Sequence, residues 1–372
     1  IGQRDKVIFE RPKTSFWVDG TIQRTEIEPI SVLMLPMSPL GKLQFMFGGA
    51  FLKLTPWWKP LERTTAEAWM QRWMGSEGYE RFFRTLLVGK FGEYYDQVNM
   101  AWLWARIKSR TLKLGTFEGG FQNFLEKLGD AISERGAAIH LNTPVQSIRT
   151  ENGKPHLTIN GETREYDAVI STISPQIMLK LAPELADTPY GQQMADLKSI
   201  GGLCVVFALK HELMHDQTYW LSLPAVSHDY HENEFPYLAL VEHTHFMDKS
   251  HYGGDHIVYC GDYVSPEHEY FQMSEEELVD LFLPSLQKVN PNFQRDWVRK
   301  WWVWRAPYAQ PMPGVNHSEK LPHLCTPMPG VYWASMSQIY PWDRGTNFSV
   351  RMGRRVARII QGQESNVRAL EL

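Results

Sequence analysis

The residues whose types best suit ligand chemistry stand in one run near the end of the chain: Trp342, Asp343, Arg344, Gly345, Thr346 and Asn347. Pro341 and Gly345 predict a tight turn, and Thr346 or Asn347 can cap the helix that follows it. A helix start directs unpaired backbone N–H groups and a positive dipole end at one point, which suits an anion or the electron-rich edge of a ring. An ordinary strand, turn and helix that close a domain is the alternative interpretation.

A second segment able to approach a ligand begins at Phe117 and runs through Gly119 and Gly120 into a predicted helix, residues 121–135. Apolar residues recur on one face of that helix. Glycine lacks a Cβ, so the backbone at this pair can approach a flat cofactor, although a simple helix-entry turn explains the pair equally well. Gly345 is expected to lie beside a flat ring, with no space for a Cβ, and to need the backbone freedom of glycine in its turn.

Strands must hold these two segments in place. Residues 168–172 and 331–334 are short apolar runs of strand type. Asn152-Gly153 predicts a hairpin turn after an extended stretch, residues 139–148. We expect residues 168–172 and 331–334 to be neighbouring buried strands of one sheet, with the helix of residues 121–135 on its face.

Taken together, these segments resemble the flavin-dependent amine-oxidase superfamily, which includes protoporphyrinogen oxidases and phytoene desaturases. The elements that carry the resemblance are the Gly-Gly helix, the strands of residues 143–148 and 167–175, and the terminal run from Pro341 to Gly353. The resemblance implies an α/β (α+β) fold with a partial Rossmann-like FAD-binding domain and a substrate domain of mixed sheet and helices. It also implies FAD as cofactor.

The resemblance further assigns roles to individual residues. Residues 342–347 would contact the flavin, and Val145 would meet the adenosine end through its backbone. The substrate cavity would be lined by Phe117, Gly119, Gly120, Tyr308 and Gln310. No catalytic side chain and no metal ligand follows from it.

The resemblance also divides the chain. Residues 1–110 would form the helical part of the substrate domain, 111–185 the middle of the FAD-binding domain, 186–326 the substrate-domain sheet, and 327–372 the C-terminal strand and helix of the FAD-binding domain. The family's opening Gly-x-Gly-x-x-Gly turn does not occur in this sequence. We therefore expect an N-terminally truncated chain that binds FAD weakly by itself.

Composition narrows the classes of partner. A net charge of −4 argues against a general nucleic-acid binder. Cys204, Cys260 and Cys325 lie far apart and indicate a reducing, cytoplasmic location. The amphipathic stretch of residues 42–54 either faces the core or lies on a membrane surface, which would make the protein peripheral to the membrane.

The implied reaction is hydride transfer to flavin from a hydrophobic or amine substrate, followed by reoxidation by oxygen, a quinone or another acceptor. Two other classes stay open: a non-redox flavin-fold protein such as a sugar-nucleotide mutase relative, and a zinc peptidase. The zinc hypothesis depends on His211, Glu212 and His215, which spell H-E-x-x-H. The motif lies between two predicted strands, which favours a loop over the helix that zinc binding needs.

Overall fold

The computed structural model describes residues 1–24, 37–109, 111 and 113–365 of the chain. Its strands are β1 (Val7–Glu10), β2 (Lys13–Val18), β3 (Thr21–Arg24), β4 (Leu114–Phe117), β5 (Val145–Glu151), β6 (Lys154–Ile159), β7 (Glu162–Glu165), β8 (Val169–Ser171), β9 (Ser199–Leu209), β10 (Thr218–Ser222), β11 (Ala239–Glu242), β12 (His256–Asp262), β13 (Val298–Pro311) and β14 (Val331–Trp333). Its helices are α1 (Pro39–Leu54), α2 (Ala66–Trp73), α3 (Arg84–Phe91), α4 (Met100–Ser109), α5 (Gly120–Ser133), α6 (Pro175–Leu181), α7 (Pro189–Ala195), α8 (Glu275–Val289), α9 (His317–Lys320) and α10 (Thr346–Ile360). This mixture confirms the predicted α/β fold class.

The largest sheet has seven strands in the order β13-β9-β12-β11-β10-β2-β3. All neighbours in it run antiparallel except β10 and β2, which are parallel. Helix α8 packs on one face of the sheet, where Phe282 and Phe207 are fully buried. A capping box between Ser274 and Glu277 begins that helix by pairing its first backbone donors.

Helices α1 to α4 form a second layer, whose buried core continues to Trp333 of β14. Phe91 of α3 and Trp102 of α4 pack edge to face with ring centroids 4.7 Å apart. The Asn99 side chain accepts a 3.0 Å hydrogen bond from the Trp102 backbone N–H, which fixes the start of α4. Because Trp102 is held in this way, the next turn of α4 presents Arg106 toward the loop before α10.

Strands β8 and β14 pair in parallel, with Val331 opposite Val169 and Trp333 opposite Ser171. This confirms the predicted pairing of residues 168–172 with 331–334. Trp333 is fully buried, but Ile170 is 45% exposed, so the expectation that both strands are buried holds only in part. After β14 the chain turns into α10, whose buried residues Met352 and Val356 lie one helical turn apart.

Helix α5 corresponds to the helix predicted for residues 121–135. It lies against β4, where Phe124 packs on Phe117 with ring centroids 5.6 Å apart. The predicted position on the face of the β8–β14 sheet is not observed. Phe121, Leu125 and Ile132 stay 56%, 54% and 38% exposed, so the apolar face of α5 has little cover from the described residues.

The domain boundaries given above remain a prediction. Strands from residues 13–24 and from residues 199–311 share the seven-stranded sheet, while β5, β6 and β7 form a separate three-stranded sheet. Among the helices that the structure describes, none is long and apolar enough to cross a bilayer.

Candidate functional site

Four charged side chains from three parts of the fold converge in front of α10. Asp343 lies in the loop that leads into this helix and forms an ion pair with Arg106 of α4. The backbone N–H of Arg344 donates a 3.1 Å hydrogen bond to Oδ1 of Asp343. Lys90 of α3 completes the group, which we call the Asp343 cluster: Lys90, Arg106, Asp343 and Arg344.

Burial and charge act in opposite directions on the Asp343 carboxyl. Burial raises its pKa, but Lys90, Arg106 and Arg344 outweigh burial and hold the pKa below its usual range. Asp343 is therefore an anion at neutral pH. Burial lowers the pKa of Lys90 to about 7, with Arg106 acting in the same direction and Asp343 against it.

Arg344 connects this cluster to the long strand β13. Its Nη1 donates a 2.6 Å hydrogen bond to Oε1 of Gln310, which is 1% exposed. Its Nη2 donates a 2.9 Å hydrogen bond to the hydroxyl of Tyr263. The structure thus brings together Arg344 and Gln310, which the sequence assigned separately to cofactor and substrate cavity, and adds Tyr263, which sequence reasoning missed.

Tyr308 is also placed near this loop. Its hydroxyl lies 3.1 Å from Oγ of Ser335 and accepts a 3.2 Å hydrogen bond from the backbone N–H of Ser337. Burial raises the pKa of Tyr308. The side chain therefore ties β13 to the segment just before the predicted cofactor residues.

The start of α10 differs from its prediction. The N-cap position is Gly345, not Thr346 or Asn347, and no side chain caps the helix. Gly345 is extended, with φ at −179°, a conformation open to any residue, so the predicted need for glycine's backbone freedom is wrong. Thr346 and Asn347, the first two residues of the helix, are exposed. Trp342 is stacked on Phe348 with ring centroids 6.3 Å apart.

A cavity of about 220 Å³ lies between α3 and the large sheet. Gly89, His228, Tyr230, Asp262 and Tyr263 are among its lining residues. Asp262 is the last residue of β12; Tyr263 donates a 2.7 Å backbone hydrogen bond to its Oδ1. Burial raises the pKa of Asp262 to about 8, and among the described residues no cation pairs with it.

The remaining predicted site residues lie elsewhere. Phe117 ends β4, and Gly119 and Gly120 follow it with φ near +80°, a turn that favours glycine. Val145 begins β5 and pairs with Ile159. The structure shows no hydrogen bond, ion pair or ring contact between these four residues and residues 342–347 within the described part of the chain. Their assignment to cofactor and cavity stays a prediction.

The H-E-x-x-H segment is a loop between β9 and β10, as its sequence context favoured. The His211 ring packs on Trp297, with centroids 4.8 Å apart, while His215 lies 3.2 Å from Glu212. Glu212 also bonds His245 at 2.8 Å. The helix face that a zinc peptidase requires is not formed, and no group of three suitable ligands comes together among the described residues.

Comparison with known proteins identifies the family to which this chain is similar. A family model described as flavin containing amine oxidoreductase matches residues 23–361. A solved structure described as a protoporphyrinogen oxidase, from Exiguobacterium sp. 255-15, aligns over 97% of this chain and 83% of its own, with a TM-score of 0.73 at 15% identity. No curated protein sequence matches the chain at a significant level.

Two further structures have the same fold. Cyclohexylamine oxidase from Brevibacterium oxydans IH-35A aligns over 96% of this chain and 82% of its own, with a TM-score of 0.68 at 15% identity. Reduced UDP-galactopyranose mutase aligns over 88% and 73%, with a TM-score of 0.64 at 13% identity. At such identities the likeness establishes the fold and leaves the substrate open.

Proposed function

The chain belongs to the flavin-containing amine oxidoreductase family, and from this premise we propose that it oxidises a small amine bound in the cavity beside Asp262. FAD is the cofactor of this oxidoreductase, and when bound it accepts the hydride that leaves the substrate carbon. The observation that carries the choice of substrate is the half-buried carboxyl of Asp262 in the cavity wall, which pairs with no cation among the described residues.

In this proposal the residues near the Asp343 cluster would meet the ring end of FAD. Trp102 Nε1 is buried without a hydrogen-bond partner and borders a small space, about 10 Å³, that Gln310, Asp343 and Arg344 also line. Unpaired donors beside a guanidinium and a helix start suit the electron-rich edge of a flavin. Trp102, Arg344 and the N–H groups of Thr346 and Asn347 would hold that edge.

The charges in the cavity wall favour a cationic substrate. Asp262 and Glu93 line the cavity, while no lysine or arginine is among its lining residues in the described chain. A buried carboxylate is stabilised by an ammonium group, and a diphosphate would need cations that this wall lacks. A sugar nucleotide is therefore the less favoured ligand.

Asp262 would bind the ammonium group of the substrate and accept its proton. The amine then carries a lone pair that stabilises the positive charge left as hydride departs from the adjacent carbon, and the product is an iminium ion. Tyr230 and Phe235 line the same cavity and would exclude water around the reacting carbon. Tyr263 lines this cavity and also bonds Arg344, so it belongs to both the cavity and the surroundings of the Asp343 cluster.

The test is to add amines to the FAD-loaded chain without oxygen. Reduction of the flavin is measured as the loss of its absorbance. Short primary amines are expected to bleach it, and Asp262→Asn is expected to weaken amine binding at least about tenfold, equal to 1.4 kcal/mol. Asp280→Asn, which removes an exposed carboxyl paired with Arg295, is the matched control and should behave as wild type. Equal bleaching by amines in wild type and Asp262→Asn would exclude this substrate site.

A further inference from the structure

Lys90 is a buried lysine that the proposed reaction does not use. It lies in α3 and is 6% exposed. Its Nζ is 4.5 Å from the centroid of the Tyr263 ring and 5.9 Å from that of Trp102. Within the described chain Lys90 forms no hydrogen bond and no ion pair, so aromatic faces are what its ammonium group contacts.

The cluster around Lys90 is short of negative charge. Lys90, Arg106 and Arg344 share the single carboxylate of Asp343, and Arg106 makes the direct ion pair with it. A buried ammonium group without a contacting anion is costly and loses its proton readily. Burial is the main reason that the pKa of Lys90 is lowered to about 7. Arg106 lowers this pKa further, and Asp343 acts to raise it.

A negative charge arriving at the cluster would reverse this balance. An anion within a few ångströms favours the charged form of a lysine and raises its pKa. The unpartnered Nε1 of Trp102, on the same side of α4 as Arg106, marks the place where an acceptor is missing. Reduction of a flavin held there would bring such a charge, because a hydride carries two electrons and only one proton.

We propose that Lys90 takes up one proton from water when the bound flavin is reduced and returns it to water on reoxidation. The hydride accounts for two electrons and one proton, and the proton bound at Lys90 Nζ offsets the remaining negative charge. No other bond forms or breaks. This inference rests on the proposed function only in its use of FAD, and it is independent of which substrate supplies the hydride.

The charged groups that face Lys90 come from two neighbouring elements. Arg106 of α4 and Arg344 before α10 lower the pKa of Lys90, whereas Asp343, whose own pKa is lowered, acts to raise it. Asp262 can change its protonation within the pH range of the experiment, because burial raises its pKa to about 8. It is also close to Lys90 in the fold, since the next residue, Tyr263, contacts Lys90. The experiment must therefore separate Lys90 from Asp262.

The measurement is the midpoint potential of the FAD-loaded chain between about pH 6 and 9, set by dithionite and mediators without any amine. One extra proton taken up per two electrons steepens the potential's dependence on pH by about 30 mV per pH unit, since 29.6 mV is a tenfold change for a two-electron couple. Wild type should show this extra slope above about pH 7. Lys90→Met should lack it.

Lys90→Arg keeps a positive charge that does not titrate. It should also lose the extra slope, but its potential should lie above that of Lys90→Met at every pH. If the methionine variant fails to fold, as judged by thermal melting, the arginine variant still decides the question by its slope. An arginine variant with the wild-type slope would overturn the proposal.

Two further variants serve as controls. Lys198→Met removes an exposed lysine that lies 4.8 Å from the Tyr94 ring centroid, a similar cation–π contact that does not belong to the cluster, and should keep the wild-type slope. Asp262→Asn should keep it as well. Loss of the slope in Asp262→Asn with retention in Lys90→Met would assign the proton to Asp262 and overturn the proposal. Failure of amines to bleach the flavin would instead count against the proposed substrate alone.

Discussion

The hydroxyl of Tyr263 accepts a 2.9 Å hydrogen bond from Nη2 of Arg344, while the Tyr263 ring lines the cavity that contains Asp262. One side chain therefore contacts both a cavity with an acidic lining and a cluster rich in cations.

Replacing Tyr263 by Phe tests the hydrogen bond and keeps the ring. A hydrogen bond to a charged group contributes about 1–3 kcal/mol, and the partial exposure of Arg344 favours the lower end. We expect weaker FAD binding by about tenfold with a preserved fold, because Arg344 keeps its bond to Gln310. Fluorescence titration with FAD and a thermal melt measure the two effects; unchanged FAD affinity would contradict the assignment.

Asp343→Asn should destabilise the chain strongly. It leaves Lys90, Arg106 and Arg344 close together without a counter-ion, and loss of one partner from a buried ion pair costs about 3–5 kcal/mol. Because the Asp343 side chain is 22% exposed, we expect about 2–3 kcal/mol. Urea unfolding at pH 7 measures the difference, which a mere surface carboxylate would not produce.

The Asp343 carboxyl should also make the free energy of unfolding decrease as the pH falls into the acid range. The pKa of Asp343 is lower in the folded chain than in the unfolded chain. Its contribution is thus fully present above the unfolded pKa, about 3.9, and is lost as pH falls through the folded value. The free energy of unfolding of wild type should converge with that of Asp343→Asn in this acid window, as urea titrations at stepped pH would record.

His317 should make the free energy of unfolding depend on pH in a second, higher pH range. It is 6% exposed, packs on Tyr340 at 5.0 Å between centroids, and burial lowers its pKa to about 4. The folded chain keeps it neutral while the unfolded chain protonates it below about 6.5. Stability should therefore fall by up to about 1.4 kcal/mol per pH unit from this group as pH drops from about 6.5 to 4. His317→Gln should lack that component of the slope.

Helix α1 predicts contact with a lipid surface. Phe47, Phe51 and Leu54 are 75%, 49% and 76% exposed along one face, and Trp57 beyond the helix is 73% exposed. The exposed ammonium group of Lys53 lies at the same end, which suits anionic lipid headgroups. We expect co-sedimentation with phosphatidylserine vesicles, reduced severalfold in Phe47→Ser/Phe51→Ser. Equal sedimentation of both chains would refute the contact.

Much of the local structure followed from sequence patterns. Strands β8 and β14 could be predicted because each is a short apolar run, whereas their pairing was expected from the family resemblance. The terminal helix could be predicted because its apolar residues follow helical spacing. Gln310 and Arg344 were named as site residues without any indication that they touch. Their hydrogen bond depends on the long strand β13 reaching the loop before α10.

Lys90, Asp262 and Tyr263 could not be found in this way. Lys90 follows Gly89 in an ordinary helical pattern, and its burial arises only when α3 packs against α4 and the large sheet. Asp262 reads as the polar end of an apolar strand. Titratable groups acquire unusual proton affinities from tertiary surroundings, and the order of residues along a chain does not record those surroundings.

The exposed face of α5 also governs how the chain behaves in the test tube. Phe121 and Leu125 are exposed on the helix. Among the strands that the structure describes, β8 pairs only with β14, and its residue Ile170 is exposed. Uncovered apolar helix faces and open strand edges are both sites where copies of a chain adhere to one another. The protein should therefore self-associate. Its light scattering should rise steeply with concentration and should fall when Phe121 and Leu125 are replaced by lysine.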